Sequence, residues 1–306
     1  MYLHDPHAQC HIVDTIETDP GHFAAFILRS NNGRCAVIET STHLAGHTIL
    51  RALDDIGIAR ADVDLVCTTH VHLDHAGACG ILIQSLPNAK LAVHSSGAKH
   101  MIDPSILNNA ARSVYSDHIM DTVVGESLPV PVERVIPITD EMELSFGDRS
   151  LHFIYTPGHA YHHLCILDKL TGTLFAGDCL GSIYNVSGKE FLVLGSAPTQ
   201  FDPIQWKLSL EKVVRYDIQL VALTHFGIFT EVRGLFDRVT ELVEEHESIA
   251  RNVPLKDIPN LIQQLYKKRA MEEQVDWDLF VEKYQFDLDI SIQGLVYFRN
   301  KLDRNK

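Results

Sequence analysis

Thr69-His70-Val71-His72-Leu73-Asp74-His75 places three imidazoles and one carboxylate within seven residues. Imidazole and carboxylate together suit zinc, iron, manganese and similar divalent ions. Alternating His70 and His72 leave the end of a strand on one side and can grip one cation. Asp74 and His75 follow where the chain turns towards a helix expected over 76–86, and they can face a second cation. A lone His on an apolar face is more often a packed core side chain than a ligand. Here the chemistry recurs at Gly158-His159, Gly177-Asp178 and Thr224-His225, in a chain with 18 His. There is no GxSxG nucleophile elbow and no GxGxxG dinucleotide fingerprint, so a side-chain nucleophile and a nicotinamide cofactor are not indicated.

Each of these groups ends a short apolar run. Asp64–Thr69 leads to His70, Leu151–Thr156 to Pro157-Gly158-His159, Thr173–Ala176 to Gly177-Asp178, and Gln219–Thr224 to His225. Ligands at strand ends are held by a rigid sheet, which is how α/β proteins assemble sites. Upstream, Cys10–Ile16 and Phe23–Leu28 read as strands around a polar loop from Glu17 to His22. Asn31-Asn32-Gly33 turns the chain into a further strand, Cys35–Glu39, and 43–57 reads as a helix. Gly77 and Gly80 would permit close backbone approach at the helix start beside the motif. Residues 97–134 read as a polar, helical insertion. After His225, Val232, Leu235, Phe236, Val239, Leu242 and Val243 follow helical spacing. The expected division is a catalytic domain over 1–229 and a helical extension over 230–306.

The formal charge of −14 repels phosphate backbones, which disfavours nucleic acid as a partner. No apolar run approaches the ~18 residues of a membrane span, and the first residues carry no basic or apolar leader, so a cytoplasmic location is expected. Six Cys form no CxxC pair and are expected to be reduced.

The set His70-x-His72-x-Asp74-His75, Thr156-Pro157-Gly158-His159, Phe175-Ala176-Gly177-Asp178 and Thr224-His225-Phe226-Gly227 resembles the metallo-β-lactamase superfamily over about residues 10–230. The longer run Thr156–His163, with Phe201-Asp202 and Gly294-Leu295, resembles a subgroup of its hydrolases usually left without a substrate. The resemblance implies a four-layer αβ/βα sandwich with two divalent metals in a cleft at one sheet edge, zinc first, with iron or manganese as alternatives. It implies His70, His72 and His159 at one site, Asp74, His75 and His225 at the other, and Asp178 bridging. A metal-bridging hydroxide would attack a small ester, thioester, lactone or similar substrate, and Asp74 would also take the nucleophile's proton. A bridging ligand must be anionic to offset two dications, and a short Asp after a Gly-preceded strand end is rigid.

Other residues form a second rank. His163, four residues after His159, either orients a ligand or sits on the sheet surface. Tyr184, six residues after Asp178, either donates to an oxyanion or leaving group or is an ordinary loop aromatic. His22 is a candidate substrate wall. The alternative function is a diiron protein that binds or reduces oxygen. Related folds of that kind typically carry Glu where this chain has His72. The expected partner is a small-molecule substrate, with no nucleic acid and no membrane. The apolar stripe of the tail would shape the substrate pocket or a homodimer contact.

Overall fold

The computed structural model describes residues 2–16, 20–114 and 117–304. Part of the loop expected over 17–22, namely 17–19, lies outside the described residues, as do 115–116 of the expected insertion. Contacts divide the chain into two compact units. The first comprises Met1–Tyr155, His162–Gly177 and Asp217–Thr230, and the second Thr156–Tyr161, Asp178–Tyr216 and Glu231–Lys306. The sequence boundary at 229/230 thus falls beside the last crossing, between Thr230 and Glu231. Two earlier excursions, 156–161 and 178–216, already belong with the helical tail.

The first unit holds two mixed sheets. One contains β1 (Tyr2–Asp5), β2 (Cys10–Asp14), β3 (Ala24–Arg29), β4 (Cys35–Ile38), β5 (Val63–Cys67), β6 (Lys90–His94) and β7 (Val135–Ile138) in that order. It is antiparallel through β4 and parallel from β4 to β7. The other contains β8 (Met142–Phe146), β9 (Arg149–Tyr155), β10 (Leu164–Asp168) and β11 (Thr173–Phe175). Two further strands, β12 (Ser182–Val186) and β13 (Lys189–Val193), form a separate hairpin in the second unit. The second sheet is completed by β14 (Leu220–Leu223) and β15 (Gly227–Phe229), in the order β15-β14-β11-β10-β9-β8.

Strand periodicity decides what each face meets. Phe26 and Leu28 of β3 join Leu65, Cys67, Phe153, Ile166, Phe175 and Ala222 in a core shared by both sheets. There the Phe26 and Phe175 rings meet edge to face at 5.1 Å. The alternate residues Ala25 and Ile27 turn to the other face, into a core with Ile49 and Leu53 of α1 (Gly46–Asp55). The helix expected over 76–86 is two, α2 (Leu73–Ala76) and α3 (Cys79–Ser85). They part at Gly77, where a Cβ would collide with the Leu73 carbonyl and the His43 backbone nitrogen. The insertion region holds α4 (Ser95–Ile102), α5 (Ser105–Val114) and α6 (Asp117–Ile119), the last running into a π turn over Met120–Val124.

The second unit packs the β12–β13 hairpin with α7 (Pro203–Val213), α8 (Val232–Asn252), α9 (Ile258–Glu272) and α10 (Trp277–Arg304), which kinks at Tyr284. Asp202 caps α7, accepting from the backbone N–H of Ile204 and Gln205, with Pro203 in the first turn. The apolar stripe of α8 contacts α7, α9 and α10, so its cover is intramolecular. Phe191 meets Phe280 edge to face at 5.0 Å in this core. Among the described residues, no helix is long and apolar enough to cross a membrane.

Candidate metal centre

The end of β5 and the turn into α2 bring four of the predicted ligands together. His70 and His75 are fully buried, and His70 Nε2 lies 2.9 Å from His72 Nδ1. Thr69 Oγ1 is 3.1 Å from His70 Nδ1, so Nε2 is the ring nitrogen turned towards the other candidate ligands. The His70 and His75 ring centroids are 4.0 Å apart. His225, carried in by β14, closes a triangle with the next two residues of the motif. His75 Nε2 lies 3.3 Å from His225 Nε2 and 3.4 Å from Asp74 Oδ2, and His225 Nε2 lies 3.5 Å from Asp74 Oδ2.

Those edges test the fit to a cation. Two nitrogen or oxygen ligands at ~2.0–2.1 Å from one tetrahedral metal lie ~3.4 Å apart. Asp74, His75 and His225 therefore already have the spacing of three ligands on one divalent ion. Burial by itself would raise the Asp74 carboxyl, but the imidazoles of His75 and His225 hold it well below the usual carboxylate range.

Behind the triangle stands a residue that the motif reading missed. Glu39, at the end of β4, is 1% exposed and accepts from His75 Nδ1 at 2.5 Å and from the Thr69 backbone N–H at 2.6 Å. One carboxylate thus sets the ring tautomer of His75, a candidate ligand, and anchors the strand end that launches the motif. Its backbone sits at φ +63°, a conformation that costs a non-glycine residue ~1–3 kcal/mol and is concentrated at functional sites. The signal was present, since Glu39 also ends an apolar strand.

His163 is fully buried with its ring centroid 5.1 Å from that of His70. Gly177 makes room for it: its φ is +48°, and a Cβ there would press into Thr69 Oγ1 and His163 Nε2. His163 is therefore packed against His70 rather than exposed on a sheet face. Its neighbour His162 accepts from the Val71 N–H at 3.4 Å. His22 stacks on Phe23 with centroids 4.3 Å apart, and Phe23 meets the His225 ring at 4.9 Å.

The second unit carries His159 and Asp178. His159 Nε2 and Asp178 Oδ2 lie 3.2 Å apart, again the spacing of two ligands on one ion. His159 Nδ1 donates to the Gly195 carbonyl at 2.6 Å, so Nε2 carries the lone pair on the Asp178 side. Tyr184 lies in β12 and is 4% exposed; its hydroxyl donates to Asp287 of α10 at 2.9 Å. The structure thus places it in a strand rather than the expected loop, with its hydroxyl bonded to the helical tail. The six cysteines are free and buried, and burial pushes the Cys79 thiol up to about 12, away from a reactive thiolate.

A family model for the metallo-beta-lactamase superfamily matches residues 19–225. The chain belongs to the metallo-beta-lactamase superfamily. It has that superfamily's α/β fold of mixed sheets, with a C-terminal helical region. It is 27% identical over 187 residues to ST1585 of Sulfurisphaera tokodaii, called a metallo-beta-lactamase fold-containing protein; the match covers 60% of this chain and 65% of that one, just under two thirds. The crystal structure of ST1585 aligns over 94% of this chain and 97% of its own, at a TM-score of 0.66 and 21% identity. TTHA1429 from Thermus thermophilus aligns over 96% of this chain and 94% of its own, at a TM-score of 0.63 and 18% identity. The acyl-coenzyme A thioesterase MBLAC2 of Gallus gallus is 27% identical over 171 residues, covering 54% of this chain and 57% of its own. The superfamily thus includes named hydrolases, and the His/Asp clusters suit divalent metal.

Proposed function

We propose that this chain is a hydrolase of a small ester, thioester or lactone, working with two divalent metal ions. His70, His72 and His159 would hold one ion, Asp74, His75 and His225 the other, and Asp178 would serve both. The observation that carries the reading is the Asp74–His75–His225 triangle, with three edges of 3.3, 3.4 and 3.5 Å and a buried carboxylate behind it. Paired ions of this kind supply Lewis acidity to a substrate carbonyl and acidify a water to a pKa of about 7.

The chain's residues set the conditions for that chemistry. Glu39 keeps the His75 proton on Nδ1, and the Gly195 carbonyl keeps the His159 proton on Nδ1, so both rings present Nε2. Asp74 turns Oδ2 towards His75 and His225, which leaves Oδ1 to take the proton that the attacking water loses. The flat His22–Phe23 pair beside His225 forms a wall for the substrate. A thioester comes first among the substrates because a relative is named as an acyl-coenzyme A thioesterase. Zinc comes first among the metals because hydrolysis needs no change of valence. The charge of −14 supports a small-molecule substrate over nucleic acid.

The test reconstitutes metal-free protein separately with zinc and, anaerobically, with ferrous iron. Each form is then assayed on an acyl-coenzyme A, an aryl ester and a lactone. About two zinc ions per chain and turnover of at least one substrate are expected. A zinc form inert on all three, beside an iron form that consumes oxygen, replaces this reading with the diiron one.

A further inference from the structure

His159 takes its orientation from a carbonyl, and that carbonyl is held by three helices of the tail. The segment Leu194-Gly195-Ser196 follows β13. The Leu194 N–H donates to Tyr266 Oη of α9 at 2.9 Å, and the Leu194 carbonyl accepts from Ser291 Oγ of α10 at 2.9 Å. Ser196 Oγ lies 2.9 Å from His246 Nδ1 of α8, and His246 Nε2 lies 3.0 Å from Tyr266 Oη. Between those two anchored residues sits Gly195, whose carbonyl accepts the His159 Nδ1 proton at 2.6 Å.

Tyr266 Oη accepts from Leu194 and pairs with His246 Nε2. His246 is neutral, its pKa pushed down to about 3 by burial and by Arg269, so it donates through one ring nitrogen and accepts through the other, linking Tyr266 to Ser196. His246, Tyr266 and Ser196 are fully buried, and Ser291 is 2% exposed. Gly294 of α10 packs its backbone against the Ser196 carbonyl, where a Cβ would not fit. Buried hydrogen-bond networks of this kind favour one geometry, and breaking one of their bonds is costly.

We propose that His246, Tyr266 and Ser291 are positioning residues for the metal centre: they clamp residues 194–196 so that the Gly195 carbonyl holds His159 in the Nδ1–H tautomer with Nε2 presented as a ligand. The inference rests on the reading of His159 as a metal ligand. It gives the helical tail a task in the chemistry, since one anchor comes from each of α8, α9 and α10.

The experiment compares full-length wild type with Tyr266→Phe, which removes one hydroxyl and keeps the ring, and with Ser291→Ala and Ser291→Thr. Histidine ring nitrogen spectra of the metal-free proteins report the His159 tautomer, and competition with a chelator reports zinc affinity. In wild type, His159 is expected as a single Nδ1–H tautomer. In Tyr266→Phe the His159 signals should move or become mixed, and zinc affinity should fall about tenfold, within the range for changing a ligand's partner. Ser291→Ala should do the same to a smaller degree, and Ser291→Thr should restore it. Unchanged His159 signals and zinc affinity in folded Tyr266→Phe overturn the proposal. Should Tyr266→Phe not fold, an unchanged Ser291→Ala overturns it. A wild type that binds no zinc but shows the His159 tautomer shift on substitution removes the metal reading and leaves the clamp standing.

Discussion

His75 and His159 both give Nδ1–H to an acceptor and present Nε2, yet the two units achieve this by different means. In the first unit the acceptor is a charged side chain, Glu39, buried at a strand end and hydrogen-bonded to the backbone of the motif it supports. In the second unit it is a neutral carbonyl at Gly195, whose place depends on side chains from three helices. A carboxylate makes the stronger, charge-assisted bond and concentrates the effect in one residue. A carbonyl spreads the same task over several residues, each replaceable at smaller cost.

Substitutions can break or sharpen that contrast. Asp178→Asn should do the most damage, because a neutral amide cannot offset two dications. Metal content should collapse, and activity should fall by more than the roughly 10–100-fold typical of altering a group behind a ligand; normal metal content would remove Asp178 from the centre. Glu39→Gln comes next. It keeps an acceptor for Thr69 but loses the charge facing His75, and zinc affinity by chelator competition should drop by about 10–100-fold. If it drops less than in Tyr266→Phe, the contrast between concentrated and distributed support is wrong.

His246 allows a test that needs no metal. Its native pKa of about 3 lies below the ~6.5 of an unfolded His, so below pH ~6.5 the unfolded chain takes up a proton that the native chain refuses. Stability from this residue is therefore complete above that pH and is lost as pH falls, by on the order of 1.4 kcal/mol per pH unit at most. Denaturant titrations of metal-free His246→Gln should show a shallower acid slope than wild type between about pH 6 and 4, whatever its stability at neutral pH. Tyr184→Phe should have the smallest effect. The lost bond to Asp287 is worth ~1–3 kcal/mol of stability, while kcat should stay within about threefold of wild type.

The candidate ligands stood out in the sequence because apolar runs lead into His70, His159, Asp178 and His225, poor residues for those positions unless something binds there. Glu39 obeys the same rule, but one acidic residue after Cys35–Ile38 is also how an ordinary strand meets solvent, so its type alone did not separate the two. The amphipathic spacing of Leu235, Phe236, Val239, Leu242 and Val243 predicted α8 and its buried face. The β12–β13 hairpin escaped, and with it the setting of Tyr184, because its partner Asp287 lies 103 residues along the chain. Gly195 carries no side chain by which sequence could announce a hydrogen-bonding carbonyl.

The interleaving of the units sets an order of events during synthesis. Every member of the Asp74–His75–His225 triangle, with Glu39 behind it, has been made once the ribosome has passed residue 225. His159 and Asp178 are made before that, but the hydroxyls and imidazole that set the Gly195 carbonyl arrive only with residues 246, 266 and 291. Domains of a growing chain generally fold as units, the N-terminal one first. On the proposed reading, the first unit's three candidate ligands are complete in the chain at residue 225, whereas the clamp on Gly195 is complete only with α10. Complete metal retention would then report a finished chain, and fragments stalled before α10 would give up their metal to a chelator far more readily than full-length protein.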